Sequence, residues 1–387
     1  MTALGAAVDA SRRRGARGRS AASVAIALLL AGCSGHQAPR DESDPHCPGR
    51  TVVHALDAAT GTERWSRTVP GSLDHVPVPG GGQVVLEGCG VRTLDERTGV
   101  TTGAAPGLDL LDVAGVWQRG VVGSLDGQVV AQPLPTTSPG GSTLTDARYP
   151  TVVAIAGDLL VVGTEGRLEA YDAHRPWPSR WQTALAGTGP LPRGLVVDDR
   201  LVVLTGDGSL LALSLADGRP AWRALPDAPS LGYASLLAAG ADGVVATVHD
   251  EARPHADALV GVSLRDGREM WRRSVAVASE VGTGRIGQGS QPPVGVVDGA
   301  ALLEGVEHQV ATAVDLATGR TRWTAPVRAV VASGGSPVGL DPAGLIVGLD
   351  PASGQVRWQA RTGDVLAPVD AGAVVVLDPP TVAYRGD

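Results

Sequence analysis

The stretch Thr51-Val52-Val53-His54-Ala55-Leu56-Asp57-Ala58-Ala59-Thr60-Gly61-Thr62-Glu63-Arg64-Trp65 decides the fold. An apolar run leads into Asp57 and Thr60, whose side chains bond a turn backbone, and Gly61 supplies the left-handed conformation that such turns need. The segment ending in Trp65 then pairs back on the first run, so the unit reads as a β-hairpin. Gly-x-x-x-Trp recurs at Gly218/Trp222, Gly267/Trp271, Gly319/Trp323 and Gly354/Trp358, and Asp315-Leu316-Ala317-Thr318-Gly319 and Asp350-Pro351-Ala352-Ser353-Gly354 repeat the turn. From Trp181 to Trp358 the tryptophans of these units are 41, 49, 52 and 35 residues apart. That is near the period of four-stranded propeller blades. A tryptophan in every unit reads as a packing wedge between sheets, with an aromatic ligand cage as the competing reading.

Three weaker copies fill the gap between Trp65 and Trp222. Val91-Arg92-Thr93-Leu94-Asp95-Glu96-Arg97-Thr98-Gly99 keeps the turn but has Gly103 where the tryptophan is expected. Leu168-Glu169-Ala170-Tyr171-Asp172 leads to Trp181 through a Pro-containing turn, and residues 121–131 match residues 202–212 as a degenerate third unit. The count predicts an all-β, eight-bladed β-propeller of four-stranded antiparallel blades, with seven blades as the alternative. The chain enters at the third strand of a blade (51–56) and ends with two segments, 365–369 and 373–377, that look like the first two strands of one. Joining both ends in one blade closes the ring and removes exposed sheet edges. Residues 381–384 are expected to add a short further strand.

This pattern resembles the pyrroloquinoline-quinone (PQQ)-like β-propeller repeat family over about residues 51–385. Members known by that repeat include PQQ-dependent alcohol dehydrogenases and the lipoprotein subunit of the outer-membrane β-barrel assembly machine. The fold is common to them and the function is not. The quinoprotein enzymes of the family hold PQQ and Ca²⁺ with a Glu, an Asn and a catalytic Asp, and many carry a disulfide between adjacent cysteines. This chain has no Asn and no adjacent cysteine pair, which weighs against the PQQ site and the dehydrogenase activity that the resemblance would otherwise imply.

Composition narrows the chemistry further. The 387 residues include 53 Gly and 28 Pro, as many tight turns require, and no Lys, Asn or Phe. The missing residues share AT-rich codons and point to a GC-rich genome. Without Lys there is no Schiff-base or P-loop lysine, and without Asn no N-glycosylation acceptor.

Residues 1–32 read as a signal peptide: Arg12, Arg13, Arg14, Arg17 and Arg19 precede an apolar stretch at 21–31 that is too short for a comfortable membrane span. Leu29-Leu30-Ala31-Gly32-Cys33 resembles the lipobox of bacterial lipoproteins, which implies a lipid on Cys33. Residues 33–50 then form a polar, flexible tether and 51–387 the propeller. With Cys33 acylated, Cys47 and Cys89 remain as an even pair in an oxidising compartment. A disulfide between them would contribute about 4 kcal/mol in the chain-entropy model. Two buried thiols or a metal pair are the alternatives. Removing residues 1–32, which carry five Arg and one Asp, takes the net charge from −8 to −12. That balance argues against nucleic acid and against electrostatic docking on anionic lipid.

Candidate site motifs are sparse. His249-Asp250-Glu251-Ala252-Arg253-Pro254-His255-Ala256-Asp257 gathers two His and three carboxylates, but in no zinc-finger or helical His-Glu-x-x-His spacing. Gly282-Thr283-Gly284-Arg285-Ile286-Gly287 matches Gly-x-Gly-x-x-Gly without the strand-then-helix setting that gives it meaning. The longest departures from the repeat, 249–257 and 276–293, fall near the sixth blade and mark the side of the ring expected to bind. The expectation is a monomeric ring, lipid-anchored at the extracytoplasmic face of the cell membrane, without catalytic residues, cofactor or metal. It binds an unidentified envelope protein; the alternative is a small-molecule or quinone (PQQ)-binding protein, with or without oxidoreductase activity, using the central funnel. If the GC-rich source is Gram-positive, no outer-membrane machine accompanies it.

Overall fold

A computed structural model describes residues 50–377, apart from 72, 74–76, 89, 106–111, 118–119, 126–127, 135–141, 144–149, 165, 173–177, 186–193, 206, 226–234, 250–255, 277–294, 305–309, 363–364 and 370–371. The described chain is all β: eight antiparallel sheets of four strands each, arranged as an eight-bladed propeller. First strands of neighbouring blades touch around the ring centre, except between blades 7 and 8, where the second strand of blade 7 meets the first of blade 8, and fourth strands form the rim. Blade 1 joins the two ends of the chain in the order Val365–Val369, Ala373–Leu377, Arg50–Asp57, Glu63–Pro70, as the complementary ends predicted. Blades 2 to 8 follow at 78–105, 112–143, 151–184, 195–224, 235–276, 296–325 and 328–362. The expected strand at 381–384 lies outside the described residues.

There is no single central core. Apolar side chains form eight layers, one at each joint between neighbouring blades. At the joint of blades 5 and 6, for example, Val202, Ala212 and Trp222 pack against Val244, Ala246, Val260 and Val262. Val, Leu and Ala fill both faces of the middle strands. Sheets buried on both faces read as nearly continuous apolar runs, which is how residues 201–204 and 210–213 read.

Six joints share one device. The indole of Trp65, Trp181, Trp222, Trp271, Trp323 or Trp358 lies over the turn glycine of the next blade, respectively Gly99, Gly218, Gly267, Gly319, Gly354 and Gly61. Each of these glycines has φ between +67° and +74°. A Cβ on any of them would stand 2.5–2.8 Å from the nearest indole atom. Each indole Nε1 also donates to a carbonyl of the same turn: Trp222 to Leu264 and Trp271 to Leu316 at 2.7 Å, Trp65 to Glu96 and Trp323 to Pro351 at 2.8 Å, Trp181 to Leu215 at 2.9 Å, Trp358 to Ala58 at 3.2 Å. The Gly and Trp of one sequence motif therefore serve different joints. The Gly receives the preceding blade and the Trp reaches the following one.

Behind each indole, on the neighbouring strand of its own blade, stands a small residue: Ala55, Ala170, Ala212, Gly261, Ala313 or Gly348. A Cβ on Gly348 would lie 2.0 Å from Trp358, so the ring rests directly on the backbone there. The tryptophan does not end its strand, as the sequence pattern suggested. It stands near the start, and the outer strand of blade 6 runs on from Trp271 to Ala276.

Two blades lack the wedge. Gly103 occupies its position in blade 2, opposite Thr93, and Leu134 of blade 3 closes into the space so far that a Cβ on Gly103 would lie 2.8 Å from it. In blade 3 the residue facing the small Ala131 is Ser142. Replacing a buried tryptophan by alanine costs about 3–5 kcal/mol. Trp222→Ala should therefore lower the denaturant midpoint by a corresponding amount, and an unchanged midpoint would remove the wedge as a stabilising element.

Candidate functional site

The two faces of the ring differ. One carries the turns between first and second strands, two residues long in seven blades and three in blade 1, together with the Asp-Gly turns that seat the indoles. Pairs such as Gly81-Gly82, Asp298-Gly299 and Gly334-Gly335 have positive φ at both positions, which matches the twist of the strands they join.

Local chemistry fixes the Asp-Gly turns. Asp57 Oδ1 accepts hydrogen bonds from the Ala59 and Thr60 amides and the Thr60 hydroxyl at 2.9–3.1 Å, while Oδ2 meets Arg64 at 2.7 Å. Asp315 repeats this with Thr318 and Arg322, and Asp350 with Ser353 and Arg357. Blades 5 and 6 invert the pattern. Ser214 and Ser263 take the first position, and Asp217 and Asp266, three residues on, accept from the amides of Arg219 and Arg268. Arg64 and Arg322 hold the carboxyls of Asp57 and Asp315 below their ordinary value, and the hydroxyls of Thr98 and Ser353 do the same for Asp95 and Asp350. These residues have structural work, which accounts for them without a ligand.

A carboxyl whose folded pKa is lowered stabilises the fold above its unfolded value and loses that contribution as pH falls through the folded value. The difference in denaturant midpoint between the wild type and Asp57→Asn should thus be flat from about pH 8 to 5 and shrink once pH drops below about 4. A difference that already shrinks between those upper values would contradict this assignment.

Eight-residue connections, 134–141 in blade 3 and 173–180 in blade 4, interrupt the turn face, and the opposite face carries the longest ones. Its connections entering blades 5, 6 and 7 span 185–194, 225–234 and 277–295, and those within blades 6 and 7 span 250–255 and 305–310. By contrast, only 326–327 and 363–364 lead into blades 8 and 1. Blade 6 is also taller there than the blades beside it. Its third and fourth strands pair for five rungs beyond Trp271, to Ala256 and Ala276, whereas those of blades 5 and 7 stop two rungs beyond theirs, at Leu210/Ala224 and Ala311/Ala325. Three extra rungs raise the sheet by about 10 Å. On the adjoining part of this face, in blade 5, Asp207 accepts from the Thr205 hydroxyl at 2.5 Å and the Ser209 amide at 3.1 Å and pairs with Arg223. Burial raises the Asp207 carboxyl, and those bonds outweigh it and lower it overall.

Of the residues singled out by sequence, the six tryptophans occupy equivalent positions around the ring. Cys33, Cys47 and Cys89 lie outside the described residues, as do 282–287 and most of 249–257. Among the described residues no group of three or more His, Cys, Asp or Glu could hold a metal ion. Among them, too, no helix is long and apolar enough to cross a membrane. Sequence reading missed Trp117, whose Nε1 donates to Asp158 O at 3.1 Å and joins blade 3 to blade 4. It sits on a first strand, outside the Gly-x-x-x-Trp pattern. It also missed the Asp-to-Arg pairing seven residues apart, visible as Asp57/Arg64, Asp315/Arg322 and Asp350/Arg357.

The chain belongs to the PQQ-like repeat family whose model is described as outer membrane protein assembly factor BamB, matched over residues 46–173 and 138–360. A curated relative, the outer membrane protein assembly factor BamB of Yersinia pestis, is 29% identical over 184 residues, or 46% of this chain and 44% of the relative. The match thus spans less than half the relative's length. Among solved structures, the quinohemoprotein alcohol dehydrogenase of Comamonas testosteroni superposes with a TM-score of 0.52 at 13% identity, covering 83% of this chain and 70% of that one. The computationally designed Ika8 protein does so with 0.53 at 14%, covering 79% and 98%. These structural likenesses show the fold alone.

Proposed function

We propose that this member of the outer membrane assembly factor family is a lipid-anchored, extracytoplasmic propeller that serves as a non-catalytic protein-binding platform at the cell envelope. The observation that carries the reading is the asymmetry of the ring: one face holds the short first-to-second-strand turns and the hydrogen-bonded Asp-Gly turns of six blades, with eight-residue connections only in blades 3 and 4, and the other gathers the connections of ten to nineteen residues around a taller blade 6. Loops on a rigid scaffold are the usual seat of recognition. The name of the Yersinia relative supports an assembly role. In this reading residues 1–32 are removed, Cys33 carries the lipid, 33–50 are the tether, and the partner docks on the long-connection face. In this reading the tether leads into the strand Arg50–Asp57, which starts on that same face.

Two measurements test it. Palmitate labelling and membrane fractionation should show Cys33→Ser unlabelled and shifted to the soluble fraction. For binding, replacing 277–294 by a short Gly-Ser link should abolish recovery of the envelope partner, while Ala59→Arg and Ala352→Arg on the turn face leave it intact. Recovery unaffected by the loop replacement, or turnover of a small substrate with no partner recovered, would contradict the platform.

A further inference from the structure

We infer that blade 3 is the opening unit of the ring: it unfolds locally while the other seven blades stay assembled as an open arc. Six indole–glycine contacts run without interruption from blade 4 through blades 5, 6, 7, 8 and 1 to blade 2. Among the described residues, blade 3 is the one blade with no such contact on either side. Its joint with blade 2 has Gly103 at the wedge position, and its joint with blade 4 has Ser142.

Two further features of blade 3 agree. Among the described residues its joint with blade 2 holds aliphatic side chains where others hold an indole, Leu134 packing against the cluster of Val85, Val91, Val113 and Val121. Its joint with blade 4 has moved its indole inward to Trp117, on the first strand Asp112–Trp117, and sets a polar group into the layer: Glu169 of blade 4, 4% exposed, accepts from the Tyr171 hydroxyl and pairs with Arg167 at 2.6 Å. A carboxylate buried in this way adds little net stability, because desolvation offsets the attraction of its partner.

Blade 1 is sewn from the two ends of the chain and is the obvious place for a ring to part. Yet it holds a wedge on both sides, Trp358 over Gly61 and Trp65 over Gly99, and its second and third strands pair over five rungs from Val53/Leu377 to Asp57/Ala373. Local opening follows the least favourable set of contacts, and that set lies at blade 3.

Hydrogen exchange on the full chain, read by mass spectrometry under native conditions, tests this. Strand amides within 112–133 should exchange on the order of a hundredfold faster than those of blades 1, 5, 6 and 7, a difference of about 2.7 kcal/mol in opening free energy at about 1.4 kcal/mol per decade. Trp117→Ala should speed exchange in blade 3 further and leave blades 5 to 7 at wild-type rates. Uniform exchange, or fastest strand exchange in blade 1, overturns the inference. So does a Trp117→Ala chain that fails to fold, because it would tie blade 3 to the global structure.

Discussion

The structure depends on one contact: an indole from the rim of one blade laid on a left-handed glycine of the next. The contact needs three things at once. The glycine must lack a side chain, because any Cβ would fall within 2.8 Å of the ring. Its turn must be held open by an Asp or Ser, so that a carbonyl faces the indole N–H. The residue behind the indole must be Ala or Gly so that the ring lies flat. These requirements are met together at six joints. At the other two the rim indole is absent, and aliphatic contacts around Leu134 or the inward Trp117 take its place.

This division of labour leaves one face of the propeller occupied with its own construction. The aspartates, threonines and arginines there satisfy turn amides and one another, and their lowered carboxyl pKa values report structural hydrogen bonds. The other face includes such a network at Asp207 but differs in its loops. It carries connections of ten to nineteen residues into blades 5, 6 and 7, and a blade that rises above its neighbours.

Much of the fold was legible in the sequence because it repeats. The turn pattern around Gly61, Gly319 and Gly354 identified hairpins, the tryptophan spacing pointed to the blade, and the two half-blades at the chain ends pointed to closure. The assignment of Gly and Trp to successive joints was not legible, because motif neighbours in sequence suggest neighbours in space. Nor was the role of Trp117, since a lone tryptophan on an apolar run has no partner that sequence alone can name. The binding side was legible only as a contrast in loop length. Recognition by loops follows no period, and residues such as Asp250, Glu251 and His255 have no spacing that dictates a chemistry.

The central claim is that the wedge couples a tryptophan to the glycine of the following blade and not to the glycine of its own motif. A pair of double-mutant cycles in denaturant unfolding tests it directly. Trp222→Leu combined with Gly267→Ala should show a coupling of about 1–3 kcal/mol, because the two residues touch, whereas Trp222→Leu combined with Gly218→Ala should be additive within about 0.5 kcal/mol. Additivity in the first cycle, or equal coupling in both, would contradict the account.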